Sequence, residues 1–246
     1  MPLVDPETAV RFPQLICPSS RIPLRAAGCR IMLETSTLSQ SARAITLRRE
    51  TAVRCGQWDC LRLIGRGRWT EVYQARPVDS TVDRPADYVI KRLREEYADE
   101  PMPTAAMARD AFVASKVSHP NLGVVLAAHL ETDAPYLVLP YLEGATVRQI
   151  IDRAARVPHD VLGRPRYVPL SRTLWIIRQA AEGLAHLHDC GWVHSDLNPT
   201  NILVAAQGQT TVIDFGLARR LDSEESQTDA IWCGTLAYAA PETFVK

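Results

Sequence analysis

Long apolar runs are missing from this sequence. None approaches the roughly 20 residues that span a bilayer, so no membrane segment is expected within the chain. A surplus of charge is missing too. Lys and Arg total 28, and Asp and Glu total 28, which leaves no electrostatic footprint for nucleic acid or an anionic membrane. Six cysteines are present (Cys17, Cys29, Cys55, Cys60, Cys190 and Cys233), but none forms a Cys-x-x-Cys pair and no histidine cluster stands at zinc spacing. That speaks against structural zinc and for reduced thiols. The first residues lack the charged start and apolar core of a secretory signal. A cytoplasmic location is the expectation that follows.

What is present is globular in character. Apolar residues make up 46% of the 246, an ordinary value, and the length suits one large domain or two lobes. Residues 1–56 read differently. Pro2, Pro6, Pro13, Pro18 and Pro23, with scattered Arg and Ser, carry no sustained apolar period, so a poorly ordered extension is expected there. The chemistry concentrates in His194-Ser-Asp-Leu-Asn-Pro-Thr-Asn201 and, thirteen positions beyond it, Asp214-Phe-Gly216. Two strand-like runs, Ile202-Leu-Val204 and Thr211-Val-Ile213, separate these pieces. Asp196, Asn201 and Asp214 are thus oxygen-bearing groups delivered from strand-flanked turns. Such hard oxygens suit magnesium carrying a phosphate substrate, and a carboxylate just ahead of them can accept a proton from an attacking hydroxyl. Together they imply phosphoryl transfer.

The stretch resembles the catalytic loop of a eukaryotic-type (Hanks-type) serine/threonine protein kinase, followed by its magnesium-binding Asp-Phe-Gly. Upstream segments fall in the family's order. Trp58 to Ile64 alternates as a strand, Gly65-Arg-Gly-Arg-Trp-Thr70 interrupts it, and Glu71-Val-Tyr-Gln-Ala75 resumes it. Glycines at such a hairpin tip let backbone N–H groups approach phosphate oxygens. The hairpin resembles the kinase glycine-rich loop, with Ile64, Gly65, Gly67 and Val72 facing the nucleotide and Thr70 in place of the third glycine. Tyr88-Val-Ile-Lys91 resembles the strand whose lysine reaches the α- and β-phosphates, with Val89 where alanine is usual. A helix capped by Thr104 is expected to run to about Ser118, ahead of His119-Pro-Asn121 and an apolar strand from Val124 to Leu130. Counting back from that turn, the helix partner of Lys91 falls on Asp110, where the family has glutamate. Tyr136-Leu-Val-Leu139 and Pro140-Tyr-Leu142 resemble the strand and hinge between lobes, with Leu139 as gatekeeper and the backbone of Pro140 and Leu142 toward adenine.

Further on, a short helix from Thr146 is expected, then a proline-marked loop (Pro158, Pro165, Pro169). Leu170 to Asp189 has the strongest helical period, with Leu170, Leu174, Ile177, Ala181, Leu184 and His188 recurring and Gly191 as the stop signal. This helix is expected to pack beneath the catalytic loop, with His186 and His188 structural. The polar run 222–229 reads as a mobile loop. Gly234-Thr-Leu-Ala-Tyr238 and Ala240-Pro-Glu242 resemble the substrate-docking end of the activation segment.

The resemblance, from Trp58 to Glu242, implies a two-lobed α+β fold. A small lobe and hinge over 57–143 would hold a five-stranded antiparallel sheet and one main helix, with a partial, mainly helical large lobe over 144–246. It implies ATP and Mg2+ as cofactors and a protein Ser/Thr substrate, favoured by Pro199 and Thr235. The implied catalytic residues are Asp196, Lys91 and Asn198, and the implied metal ligands are Asn201 and Asp214. Three departures bear on activity: Ser195 replaces the arginine that grips a phosphorylated loop, Asn198 replaces the lysine near the transferred phosphate, and the sequence stops at Lys246. The last suggests a truncated domain of weak or no activity. The alternatives are a pseudokinase or nucleotide-binding scaffold and an aminoglycoside-kinase-type small-molecule phosphotransferase. The Gly234 to Glu242 segment argues against the latter.

Overall fold

The alternating runs of the first half pair into one antiparallel sheet. The computed structural model describes residues 53–78, 85–156, 167–222 and 235–241 and the backbone of 10–11, all within the unit formed by residues 1–12 and 53–246. The strands are β1 (Val10–Arg11), β2 (Val53–Cys55), β3 (Trp58–Arg66), β4 (Thr70–Pro77), β5 (Tyr88–Leu93), β6 (Ala127–His129) and β7 (Tyr136–Pro140). Their order is β1-β6-β7-β5-β4-β3-β2. The sheet therefore has seven strands among the described residues where five were expected. The two extra strands lie in the stretch read as a poorly ordered extension, and strands of two and three residues are too short to show a period. Gly56, at φ +54°, makes the turn that folds β2 onto β3. The remainder of 1–52, the loop expected over 222–229 beyond Asp222, Gly234, Glu242, Pro158 and Pro165 lie outside the described residues.

Helix α1 (Pro101–Ala114) covers one face of the sheet. Met107, Ala111 and Val113 from α1 join Leu93, Leu137 and Phe215 in the main core, while Cys55, Cys60, Ala75, Ile90, Tyr136 and Val138 fill the other face. The helix starts earlier than expected and Thr104 does not cap it. Pro101 takes a first-turn position, where a missing N–H costs nothing, and Thr104 Oγ1 instead donates back to the Glu100 carbonyl at 3.0 Å. Strand β6 is shorter than the expected run from Val124 to Leu130; Leu126 N still donates to Val138 O at 2.8 Å, and further back Gly123 N donates to Val212 O at 2.7 Å.

The second half is built of helices and short hairpins. Strand β8 (Gly144–Thr146) joins β10 (Ile202–Ala205) and β11 (Thr210–Val212) in the order β11-β10-β8. Helix α2 (Val147–Arg156) opens on a reciprocal cap, in which Gln149 N donates to Thr146 Oγ1 and Thr146 N donates to Gln149 Oε1. Strands β9 (Trp192–Val193) and β12 (Arg219–Arg220) pair beside the catalytic loop.

Helix α3 (Leu170–Asp189) has the expected bounds but turns a different face inward. Gln179, Ala180, Gly183 and Leu187 are its buried residues, while Leu174 and Ile177 of the expected stripe are 56% and 58% exposed. The deciding contact is polar. Asn121 Nδ2 donates to Gln179 Oε1 (3.2 Å) and to Thr210 O (2.7 Å), and Gln179 Nε2 donates to Gly208 O (2.9 Å). Small residues at 180 and 183 let α3 approach closely enough for these amides to meet.

Two predictions follow from this packing. A Cβ at Gly183 would stand 2.9 Å from the Asn121 carbonyl oxygen, and backbone cannot step aside cheaply. Overpacking costs about 1–3 kcal/mol against a helix-propensity gain of about 1 for Gly→Ala. Gly183→Ala should therefore lower stability by about 1 kcal/mol in urea unfolding; a stabilised variant would contradict the packing. The second concerns Glu71 on β4, which accepts from Arg66, Tyr73 and Arg92. Desolvation pushes its carboxyl up, but those three donors outweigh it and hold it below the ordinary 4.5. A depressed carboxylate contributes stability that is complete above its unfolded value and lost as pH falls through the folded one. The melting advantage of wild type over Glu71→Gln should hold at pH 7 and shrink as pH drops below 4.5.

Candidate active site

The glycine hairpin, the end of β5, α1 and the turns flanking β10 and β11 meet at one cleft of about 290 Å³. Gly67, Trp69 and Thr70 line it from above, Lys91 and Met107 from the side, and Asp196, Asn198, Asn201, Asp214 and Thr235 from below. Six residues singled out from sequence, Gly67, Lys91, Asp196, Asn198, Asn201 and Asp214, are thus brought together. Ile64, Gly65, Val72, Val89, Leu139, Pro140 and Leu142 do not line that cleft. Sheet register still ranks several of them beside Lys91: Gly65 opposite Val72, Val72 opposite Lys91, Val89 opposite Leu139, and Tyr88 opposite Pro140. A register shift between Leu63 and Gly65 leaves Ile64 without a directly opposed partner.

Lys91 is the electrostatic centre. Its Nζ lies 2.7 Å from Asp110 Oδ2 and 2.8 Å from Asp214 Oδ1. Burial alone would lower the ammonium pKa, but the two carboxylates outweigh it and push it up. For Asp110 burial dominates and its carboxyl is pushed up, whereas for Asp214 the Lys91 charge wins and its carboxyl is held down. Asp110 spends its other oxygen on Phe215, whose backbone N donates to Oδ1 at 2.9 Å. The shorter acid at this position therefore ties α1 to both Lys91 and the Asp-Phe-Gly turn. Asp214 stands at φ +70°, a left-handed conformation uncommon outside glycine, and Gly216 N donates to its Oδ1 at 3.3 Å.

The catalytic-loop segment is ordered from inside. His194 is buried; its Nδ1 accepts from Asp196 N (3.3 Å), which leaves Nε2 to donate to Ile213 O (3.1 Å). Ser195 takes the left-handed region at φ +62° and donates to Val193 O (3.3 Å). It turns back on its own strand, and the basic pair Arg219 and Arg220 runs alongside on β12. Asp196 Oδ1 accepts from Thr235 N (2.8 Å) and Thr235 Oγ1 (2.9 Å), and Oδ2 accepts from Asn201 Nδ2 (3.2 Å). Asn198, 5% exposed, donates to Asp196 O (3.0 Å) and to Thr235 Oγ1 (3.3 Å), and its Oδ1 accepts from Thr200 N (2.8 Å).

The sequence reading did not assign Thr235, Thr200 or Trp69 to the site. The sequence places Thr235 in the substrate-docking segment and reads it for acceptor type, without a contact to the catalytic loop. The available signal was its place at the head of the docking segment, which must approach Asp196 to present a hydroxyl. Trp69 gave none, since an aromatic at a hairpin tip reads as exposed until its packing against the core is seen.

Comparison with known proteins follows this geometry. The protein kinase domain family model matches residues 58–246. The probable serine/threonine-protein kinase PkwA of Thermomonospora curvata is 34% identical over 189 residues, covering 77% of this chain and 23% of that protein. The serine/threonine-protein kinase PrkC of Bacillus subtilis (strain 168) is 32% identical over 189 residues, covering 76% and 26%. PknB of Mycobacterium leprae (strain TN), also a serine/threonine-protein kinase, is 31% identical over 185 residues, covering 73% and 27%. The chain spans about a quarter of the length of these curated relatives. No helix among the described residues is long and apolar enough to cross a membrane. The chain belongs to the protein kinase domain family, and the relatives it resembles there are serine/threonine-protein kinases.

Proposed function

We propose that this chain transfers the γ-phosphate of ATP to serine or threonine hydroxyls of proteins, in the cytoplasm where ATP is supplied. The observation that carries the reading is the convergence of Lys91, Asp196, Asn201 and Asp214 on one cleft beneath a glycine hairpin. The donor set fits magnesium: an amide oxygen and a carboxylate oxygen are hard ligands of the kind that ion takes when it carries phosphate. Asn201 spends its Nδ2 on Asp196, so its Oδ1, which accepts only a long bond from Thr200 Oγ1 at 3.4 Å, is the atom left to ligate, and Asp214 has one oxygen beyond the pair with Lys91. Bound there, the ion would neutralise phosphate charge.

The remaining roles fall to the chain's own groups. Lys91 offers its ammonium to the α- and β-phosphates. Ile64, Val72, Val89 and Leu139 would present apolar surface to adenine, with Gly65 and Gly67 over the phosphates and the backbone of Pro140 and Leu142 at the adenine edge. Asp196, fixed on Oδ1 by Thr235, would accept the acceptor's proton on Oδ2. Asn198 positions Asp196 and Thr235 but brings no positive charge to the transferred group. That favours a second reading, a nucleotide-binding scaffold without transfer.

Two measurements separate these readings. Mg-ATP at 100 times its dissociation constant should stabilise wild type by about 2.7 kcal/mol; Lys91→Met should show no such shift against its own ligand-free baseline. An equal shift in both would remove Lys91 from the nucleotide site. In the transfer assay, labelled ATP and a generic protein acceptor should give turnover that falls about 100-fold or more in Asp196→Ala, with ATP protection retained. Protection without turnover in wild type would select the scaffold.

A further inference from the structure

Two thiols lie together on the face of the sheet away from α1. Cys55 on β2 and Cys60 on β3 share one side of a two-strand hairpin, with Cys55 opposite Trp58 and Cys60 opposite Val53. The Cys60 thiol donates to Cys55 Sγ at 3.7 Å, and both sulfurs are free. The residues are 5% and 4% exposed, yet Gly56 and Gln57, the turn between them, are open to solvent. Beside Cys55 lies the Arg92 guanidinium, which also pairs with Glu71 at 3.1 Å. This is the environment that makes a thiol reactive: a cation and a second thiol close to the sulfur, one residue from water. The bond from Cys60, helped by Arg92 against the cost of burial, holds Cys55 well below its ordinary value, to about 7, and the same pairing pushes Cys60 up.

We propose that Cys55 and Cys60 form a reversible oxidation site, in which a hydroperoxide converts the two thiols to a disulfide within the β2–β3 hairpin. The Cys55 thiolate attacks one peroxide oxygen, giving Cys55 sulfenic acid and releasing hydroxide (from hydrogen peroxide). The Cys60 sulfur then attacks the sulfenic sulfur; the S–O bond breaks, the S–S bond forms, and the Cys60 proton leaves with the hydroxyl as water. The sulfurs lose two electrons and the peroxide gains them. Closing the bond asks the sulfurs to approach from 3.7 Å to about 2.05 Å, a movement of side-chain torsions and hairpin twist. Such a link is opened again by thiols through thiol–disulfide exchange.

The sequence supplies a clean assay. Trypsin cuts after Arg54 and Arg62, releasing 55–62 with both cysteines and no others. The full chain is exposed to hydrogen peroxide, remaining thiols are blocked with N-ethylmaleimide, and this peptide is weighed. The expected product is two hydrogens lighter, carries no maleimide, and returns to the dithiol after dithiothreitol. Its formation in the folded chain should be about tenfold or more faster than in the same chain unfolded in urea, because reactivity comes from the folded surroundings. Cys60→Ser should halt at a sulfenic acid on Cys55 that dimedone traps. The proposal fails if the wild-type peptide keeps two maleimides under conditions that already oxidise Cys190. It fails equally if folded and unfolded chains react at the same rate, a comparison that needs no variant.

Discussion

One ammonium shared by two carboxylates holds the centre of this molecule together. Lys91 comes from a sheet strand, Asp110 from the helix laid on that sheet, and Asp214 from the turn after β11. Few other contacts fix all three at once. One positive charge against two negative ones is not balanced, and the fold manages the excess locally: Phe215 N donates to Asp110 and Gly216 N to Asp214. Replacing any member would leave the others charged with too few partners, the costly outcome for buried ion pairs. The cluster carries surplus negative charge beside the cleft, which suits the cation proposed to bind there.

Asp110 shows how a family pattern survives a change of residue. Its side chain is one methylene shorter than the usual glutamate, yet it spans from Lys91 to the Phe215 backbone. The reach suffices because α1 lies close to the turn after β11, with Phe215 N 2.9 Å from Asp110 Oδ1. Small residues on α1 at Ala106, Ala111 and Ala114 allow that closeness, and the Ala106 carbonyl comes within 3.2 Å of where a Cβ on Gly216 would be.

The parts of the site that were legible in sequence are those fixed by local spacing. His194 to Asn201 and Asp214 to Gly216 sit on turns whose geometry is set within a few residues, and Asp110 could be reached by counting from His119-Pro-Asn121. The strand cores of β3, β4, β5 and β7 were legible for the same reason. What escaped depends on distant partners. The period of α3 permits either of two neighbouring rows to face inward, and the Asn121 and Gln179 amides decide between them. Thr104 carries the signature of a helix cap, but Pro101 starts the helix a turn earlier. Strands β1 and β2 are too short to announce themselves, and β6 takes up only three residues of its apolar run.

The cluster of Asn121, Gln179 and Thr210 has a consequence for how this chain can change over time. The two amides bond to each other and to backbone groups of one further segment, 208–210. Replacing either one strands donors and acceptors in a buried place, and an apolar exchange of both would still leave the backbone groups of Gly208 and Thr210 without these partners. Asn121 and Gln179, 58 places apart in the chain, are therefore held as a pair of amides by main-chain groups that no substitution can remove.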